Sequence, residues 1–572
     1  MAGPVCLPPE VCETMTPSPR SAPWYSGAAL TLTLLFAGCE DTLVYRDREL
    51  FNPPPDTVSG FLGYFNAAER QTTCGNCHKG KQAEWVGTKH SHAWEDLQAS
   101  GHAQESCNRC HTVNEQGNVV AVAAGYNVVQ DSAYHDVQCE SCHGPGAQHL
   151  KNPEGTKPVP SIAVGTDSTN GCGECHQGSH TPYVEEWSAS PHGYGGTVST
   201  TGVPLYVSNG PRDPCKNCHE GREALRVNFE GFDPRPSGQA GGEKGIYLEA
   251  SSPSAYQPIT CAVCHDPHNG TNEGQLRAPL GEPELEQVCV HCHRREGHVT
   301  GGVATRRGPH GAQGLIVIDE DIGWLPPNWP YTERILPTHA AANPRQCAAC
   351  HVTAFEVTDA AGNFVKNYTG HFFEAIPCID QTTGEPIHEG ECEDSQRYFG
   401  GCAVSGCHGS PGAARTAIAT VRARMDYLTD VLWADTDADA VMETTDGGLL
   451  PKVLAQAIAA NNRNAINTYD TSVTVAEGAI WNAQLASTDG RSYWRSFTVA
   501  GQNTCSTAGC TTGGGSTTGH KSSGDGVHNP FLLEALLIET IKAVQTRYAL
   551  VPSQAIDLAM RTTPPPGVSA VK

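Results

Sequence analysis

The sequence predicts a mainly α-helical fold with extensive loops and little β-sheet, its interior filled by something other than side chains. Three observations predict it. The chain has 61 glycines and 40 prolines among 572 residues, against average use of about 7% and 5%, so regular elements must be short. Its 25 cysteines fall mostly in one repeated motif. Helical apolar periodicity is confined to the last third, at Ile418, Val421, Met425, Leu428 and Leu432 and again from Phe531 through Val544.

The formal charge of −24, from 61 acidic and 37 basic residues, argues against nucleic acid as a partner. Near the N-terminus, residues 27–38 form a short apolar run ending Phe36-Ala37-Gly38-Cys39. The run is too short to span a bilayer and suits a signal-peptide core. Its end resembles the lipobox of bacterial lipoproteins, whose cysteine carries the lipid. Residues 1–38 are therefore expected to be a lipoprotein-type signal peptide, with Met15 as an alternative start. An uncleaved anchor or a simple signal cut nearby are the competing readings. The expected location is outside the cytoplasm, periplasmic or associated with the outer membrane, with a lipid tether at Cys39.

Eight times the chain reads C-x-x-C-H. The motifs are Cys74/Cys77/His78, Cys107/Cys110/His111, Cys139/Cys142/His143, Cys172/Cys175/His176, Cys215/Cys218/His219, Cys261/Cys264/His265, Cys289/Cys292/His293 and Cys347/Cys350/His351. This is the attachment motif of c-type haem. Two thiols reach the two vinyl groups on one porphyrin edge, and the following imidazole swings under the ring to bind iron. Structural zinc would use the cysteine pairs two by two without a histidine after each, and disulfides require no histidine at all. A ninth site is expected at Cys402-x4-Cys407-His408, a longer loop known in multihaem cytochromes; a disulfide with an incidental histidine is its rival. Cys505 and Cys510 repeat the longer gap, but Thr511 replaces the histidine, which leaves a disulfide or a decayed site. Cys378 and Cys392 remain and are expected to pair in an oxidising compartment.

Methionine is scarce, only Met425, Met442 and Met560 following the signal, so the second axial ligands should be mostly histidine. Bis-imidazole iron has no open position and sits at lower potential than Met/His iron. An internal repeat selects two candidates. Residues 74–90 and 172–192 share C-G-x-C-H, then Glu-Trp, then four residues, then a histidine. This marks His90 and His192, with His92 competing for the first, and Trp85 and Trp187 as residues packing on haem.

With these motifs in view, the chain resembles the multihaem cytochromes related to cytochrome c-554 and the octahaem reductases. The resemblance rests on C-x-x-C-H followed by W-x4-H, and on Cys139-Glu-Ser-Cys-His-Gly-Pro-Gly146 followed by His149. It rests also on Cys261-Ala-Val-Cys-His-Asp-Pro-His268, Gly274-Gln-Leu-Arg277, Pro309-His310-Gly-Ala-Gln313 and Gly526-Val-His528-Asn-Pro530. It implies a haem-filled multihaem cytochrome c fold with distal histidines supplied from elsewhere in the chain. Carried over by residue, His149, His192, His268 and His528 become distal candidates, followed by His102, His310, His339 and His371. His135, His180, His291, His298, His388 and His520 could replace any of them, and His219 has no repeat-supported partner nearby. The C-x-x-C-K motif of the related nitrite and tetrathionate reductases is missing, and nothing identifies the cross-linked tyrosine of hydroxylamine oxidoreductases.

The expected organisation is a tether at 39–73, an eight-haem domain at 74–351, a ninth-haem segment with the Cys378/Cys392 pair at 352–411, and a C-terminal helical region at 412–572 that supplies His528. The expected function is electron transfer by a lipid-anchored, nine-haem cytochrome through bis-His haems. Its partners would be redox proteins or an extracellular electron acceptor. The alternative is a multihaem oxidoreductase acting on nitrite, hydroxylamine or tetrathionate at one open haem. Intact mass should show nine covalently bound haem c groups. Eight would refute the Cys402/Cys407 site, and ten would place a haem at Cys505/Cys510.

Overall fold

Why so little of this chain needs a conventional core is visible in how its halves differ. The structure is a computed structural model. It describes residues 51–158, 171–194, 203–211, 215–229, 256–281, 284–299 without 296, 309–380, 382–387, 392–438 without 405, 442–460, 472–488, 498–499, 502–503, 525–551 and 555–570. The expected signal peptide, Cys39, Cys505, Cys510, His388 and His520 lie outside the described residues. Leu50–Lys572 forms one unit. Helices dominate. Strands among the described residues occur only as three two-stranded antiparallel ladders, the longest being β1 (Phe355–Thr358) with β2 (Phe364–Tyr368). No described helix is long and apolar enough to cross a membrane.

From Cys74 to Cys407 the described helices are at most eight residues long, the one described strand ladder there is β1 with β2, and the apolar clusters are small. Buried carboxylates tie this region together. Glu140, inside the third motif, accepts the backbone N–H groups of Leu62, Gly63 and Gly146 at 2.7–2.9 Å. Gly63 has φ +67°, and a Cβ there would lie 2.5 Å from the Ala133 carbonyl oxygen, so only glycine fits this staple. Glu174, inside the fourth motif, accepts from Gly117 N at 2.7 Å. Glu186 accepts from the Thr369 and His371 amides and the Thr369 hydroxyl. Burial pushes Glu140 up to about 7 and raises Glu186.

The internal repeat is a docking device. The Trp85 indole N–H donates to Val137 O at 3.1 Å, while Val137 N donates back to His90 O. Trp187 does the same to Ile259 O at 2.8 Å, and Ile259 N donates to His192 O. Val137 and Ile259 each stand two residues before a C-x-x-C-H motif. Each W-x4-H segment is thereby fixed against the approach to a motif further along the chain.

The C-terminal third builds an ordinary core from α1 (Pro411–Leu432), α2 (Leu450–Ala459), α3 (Val475–Ala486) and α4 (Pro530–Tyr548). Ser410 caps α1 and Asn529 caps α4, each followed by proline at the first helical position. Met425, Leu428 and Leu432 point inward from α1, and Leu533, Leu536, Leu537, Ile541 and Val544 from α4, all fully buried. The periodicity at Ile418 and Val421 belongs to the half of α1 that is only partly covered. Thr474 and Glu477 form a capping box on α3.

Inside this core Arg424 pairs with Glu534 at 2.6 Å and donates to the carbonyls of Asp557 and Ala559. Glu534 also accepts from Arg561 N and from the Thr562 amide and hydroxyl. Removing one member leaves an uncompensated buried charge. Glu534→Ala should cost about 3–5 kcal/mol of stability, read as a lower urea midpoint, and free residues 557–562 for proteolysis. An exposed control, Thr546→Ala on the same helix, should stay within about 0.5 kcal/mol of the parent.

Candidate haem-binding sites

Each C-x-x-C-H motif is wound into one turn, so both thiols and the imidazole project from the same short segment. The closing hydrogen bond runs from the histidine N–H to the carbonyl of the first cysteine, at 2.9 Å for His78, 3.0 Å for His176, 3.1 Å for His219, 2.9 Å for His265 and 3.0 Å for His293. The longer Cys402-x4-Cys407-His408 loop closes the same way, with His408 N donating to Cys402 O at 3.3 Å. The two extra residues therefore widen the turn but keep a closing bond between the histidine and the first cysteine. Cys378 and Cys392, by contrast, form a disulfide with Cα atoms 6.0 Å apart.

A second set of histidines faces these turns. The ring centroids of His78 and His149 are 6.1 Å apart, His176 and His90 6.2 Å, His143 and His268 6.1 Å, and His293 and His192 6.1 Å. His219 and His310 are 6.0 Å apart, His265 and His371 6.2 Å, His408 and His339 6.0 Å, and His351 and His528 6.2 Å. Rings in direct contact sit closer, as His135 does on Trp94 at 3.9 Å. The interplanar angles range from 9° to 74°, so stacking does not hold these pairs at a common distance. Two metal–nitrogen bonds of about 2.0 Å together with the depth of two imidazoles span such a gap. The residues fit an iron porphyrin between each pair.

The polar edges of the rings agree with that fit. Nδ1 contacts a backbone carbonyl at His111 (Ala93 O, 2.7 Å), His149 (Thr156 O, 2.6 Å), His265 (Gly274 O, 2.6 Å) and His351 (Phe373 O, 2.8 Å). His268 uses Asp266 at 3.1 Å instead. A donating Nδ1–H leaves the Nε2 lone pair for metal. Burial drives His90 and His371 down to about 4 and His192 to about 3. They stay neutral at physiological pH, the form that binds iron.

Exposure and ring neighbours distinguish the remaining expected residues. Cys77, expected to bind cofactor like its partner Cys74, differs from it in being exposed, as are His78 and Lys79 after it. The reason is the placing of the first turn, which packs Cys74 inward against Cys139 and leaves its second half on the outer edge. Polypeptide therefore does not enclose Cys77, nor Cys172 and Cys407, which are exposed as well. His102 stands exposed with no ring beside it among the described residues. His111 has no facing histidine among them either, so eight of the nine expected pairs are formed by described residues. His219, which lacked a sequence-level partner, has one in His310. Trp85 and Trp187 are anchored through their indole N–H groups to backbone carbonyls. The spare histidines have other neighbours: His92 faces Glu95 at 3.5 Å, His298 faces Asp321 at 2.7 Å, His180 stacks on Phe364 and His291 lies against Phe229. His371 and His339 carried no local signal, because nothing beside them in sequence records which distant motif they will face.

Two family models match the chain: cytochrome c554 and c-prime over residues 73–144, and the doubled CXXCH motif over residues 255–298. The chain is 25% identical to the multiheme cytochrome MtrA of Shewanella baltica over 274 residues, 45% of this chain and 68% of that one. It is 27% identical to the C-type polyheme cytochrome OmcC of Geobacter sulfurreducens, over 29% of this chain and 20% of that one. An undecaheme cytochrome from the S-layer of Carboxydothermus ferrireducens superposes with a TM-score of 0.41 at 16% identity, covering 89% of this chain and 71% of that one. Eight C-x-x-C-H turns and these sequence matches point the same way, and the chain is similar to multihaem c-type cytochromes.

Proposed function

We propose that this cytochrome relays electrons through nine covalently attached haem c groups in an exported protein tethered by lipid at Cys39. The proximal ligands are His78, His111, His143, His176, His219, His265, His293, His351 and His408. The distal ligands are His149, His268, His90, His310, His371, His192, His528 and His339, with none assigned to His111. The observation that carries this reading is the set of eight imidazole pairs at 6.0–6.2 Å. An iron closed on both faces offers no site for a substrate, and it changes oxidation state without changing its ligands. The acidic surface suits basic redox proteins or a cationic acceptor better than nucleic acid.

One observation favours a second reading, a reductase of a small nitrogen or sulfur compound. His111 is oriented as a ligand by Ala93 O, yet no described histidine faces it, so a haem there would have an open position. Carbon monoxide added to the ferrous protein should shift the spectrum of one haem in nine, and His149→Ala should raise this to two. No shift in the unaltered protein would mean that another group closes the His111 site. The relay reading expects negligible turnover of nitrite, hydroxylamine or tetrathionate. Rapid turnover abolished by carbon monoxide would decide for the reductase.

The lipid tether has its own test. Cys39→Ser should move the protein from the membrane pellet to the soluble fraction with its haem content unchanged. Retention in the pellet would exclude that anchor.

A further inference from the structure

One loop, residues 265–277, carries ligand histidines of two different pairs. His265 faces His371 at 6.2 Å, and His268 faces His143 at 6.1 Å. The loop is closed at its base. Asp266 N donates to Gln275 O at 2.7 Å, and Arg277 N donates to Cys264 O at 2.8 Å. His265 and Leu276 form an antiparallel bridge across it. Further along, the loop is seated on the first W-x4-H segment, where a Cβ at Gly270 would lie 2.2 Å from the Gly87 carbonyl oxygen. Both histidines therefore stand on one fixed piece of backbone.

Their outer nitrogens meet different acceptors. His265 Nδ1 contacts the Gly274 carbonyl at 2.6 Å, as His111, His149 and His351 contact carbonyls. His268 Nδ1 contacts a carboxylate oxygen, Asp266 Oδ1, at 3.1 Å, and the same oxygen accepts the His268 amide at 3.0 Å. An ionised carboxylate only accepts hydrogen bonds, so the proton sits on Nδ1 and the Nε2 lone pair is left for metal. The Asp266 side chain is 18% exposed, which leaves its charge only partly screened. Arg277 reaches the other oxygen, Oδ2, at 3.7 Å and is held through Nε to Ala262 O at 2.9 Å. It offsets part of the charge from behind, while Asp266 alone makes the bond to the ring.

We infer that Asp266 is a positioning residue that lowers the reduction potential of the His143/His268 site below what a carbonyl-backed imidazole would give. The cause is charge. A carboxylate drawing on the Nδ1 proton gives the imidazole partial imidazolate character and raises its basicity toward metal. A more basic ligand stabilises ferric over ferrous iron, so the one-electron couple moves to lower potential. Gly274 offers His265 a neutral carbonyl and gives no such push. The loop thus orients two ligands with one backbone and differentiates them by one side chain. An electron passed to the His143/His268 site leaves it readily, so the site is a step on a path rather than a resting place. The inference rests on the electron-relay reading and on its assignment of His268 as an axial ligand.

A spectroelectrochemical titration of the full-length, haem-loaded protein tests this. Asp266→Asn keeps the size of the side chain and an oxygen for the His268 amide but removes the charge. One haem couple should move to higher potential, with haem content and the low-spin ferric spectrum unchanged. In a His268→Met background, where the ligand has no Nδ1–H, Asp266→Asn should have little further effect. If Asp266→Asn does not mature, Asp266→Ser also offers the amide an oxygen without the charge, and it carries the same expectation. Couples that all stay in place, or a shift of equal size in the His268→Met background, overturn the inference. So does loss of low-spin haem, which would mark Asp266 as a support of the loop alone. If His268→Met by itself leaves every couple and the spectrum unchanged, His268 is no ligand, and the proposed ligand set fails instead.

Discussion

Everything in the motif-bearing region depends on a distance of about 6 Å between imidazoles that must not touch. An iron porphyrin bound between them would supply the attraction across that gap and make each pair a crosslink between segments remote in sequence. His351 and His528 show the extreme, joining a turn in the middle of the chain to the start of its last long helix. A haem held between such segments would do the work that apolar side chains do elsewhere. It is large, flat and apolar, and it excludes water from both of its faces.

This explains why the polypeptide between Cys74 and Cys407 has short helices and small apolar clusters. Protein-only contacts there have to orient ligands rather than build a core. The tryptophan and carboxylate staples serve that purpose. Glu186 binds the amides around His371, and Trp85 and Trp187 set the backbone beside His90 and His192. A buried carboxylate accepting several backbone amides satisfies donors that short loops would otherwise bury unpaired.

The C-terminal bundle has the opposite economy. Its helices bury a continuous apolar core, and its contribution to the haem region is delivered through rigid attachments. Asn529 caps α4 and donates through its side chain to Ile316 O and Ile335 O, fixing the residue next to His528. Asn482 on α3 bonds both backbone groups of Trp324, and Gly478 allows the Trp324 ring to pack directly on the helix backbone. A ligand placed by such a scaffold holds its position without support from its own loop.

The sequence by itself determined what is local and covalent. Eight C-x-x-C-H turns, the longer turn at Cys402, the predominance of helix and the caps at Ser410 and Asn529 are all legible in short windows, because each depends on neighbouring residues. The W-x4-H repeat was also visible and marked His90 and His192. Only the tertiary structure decided which histidine faces which motif: that His310 reaches His219, that His339 reaches His408, and that neither His102 nor His111 has a facing ring among the described residues. It also decided that Cys74 turns inward while Cys77, three residues on, lies at the surface. Residue spacing along the chain carries no record of these placements. They are set by how the segments pack around planes that the polypeptide does not itself supply, and one imidazole reads much like another until that packing is known.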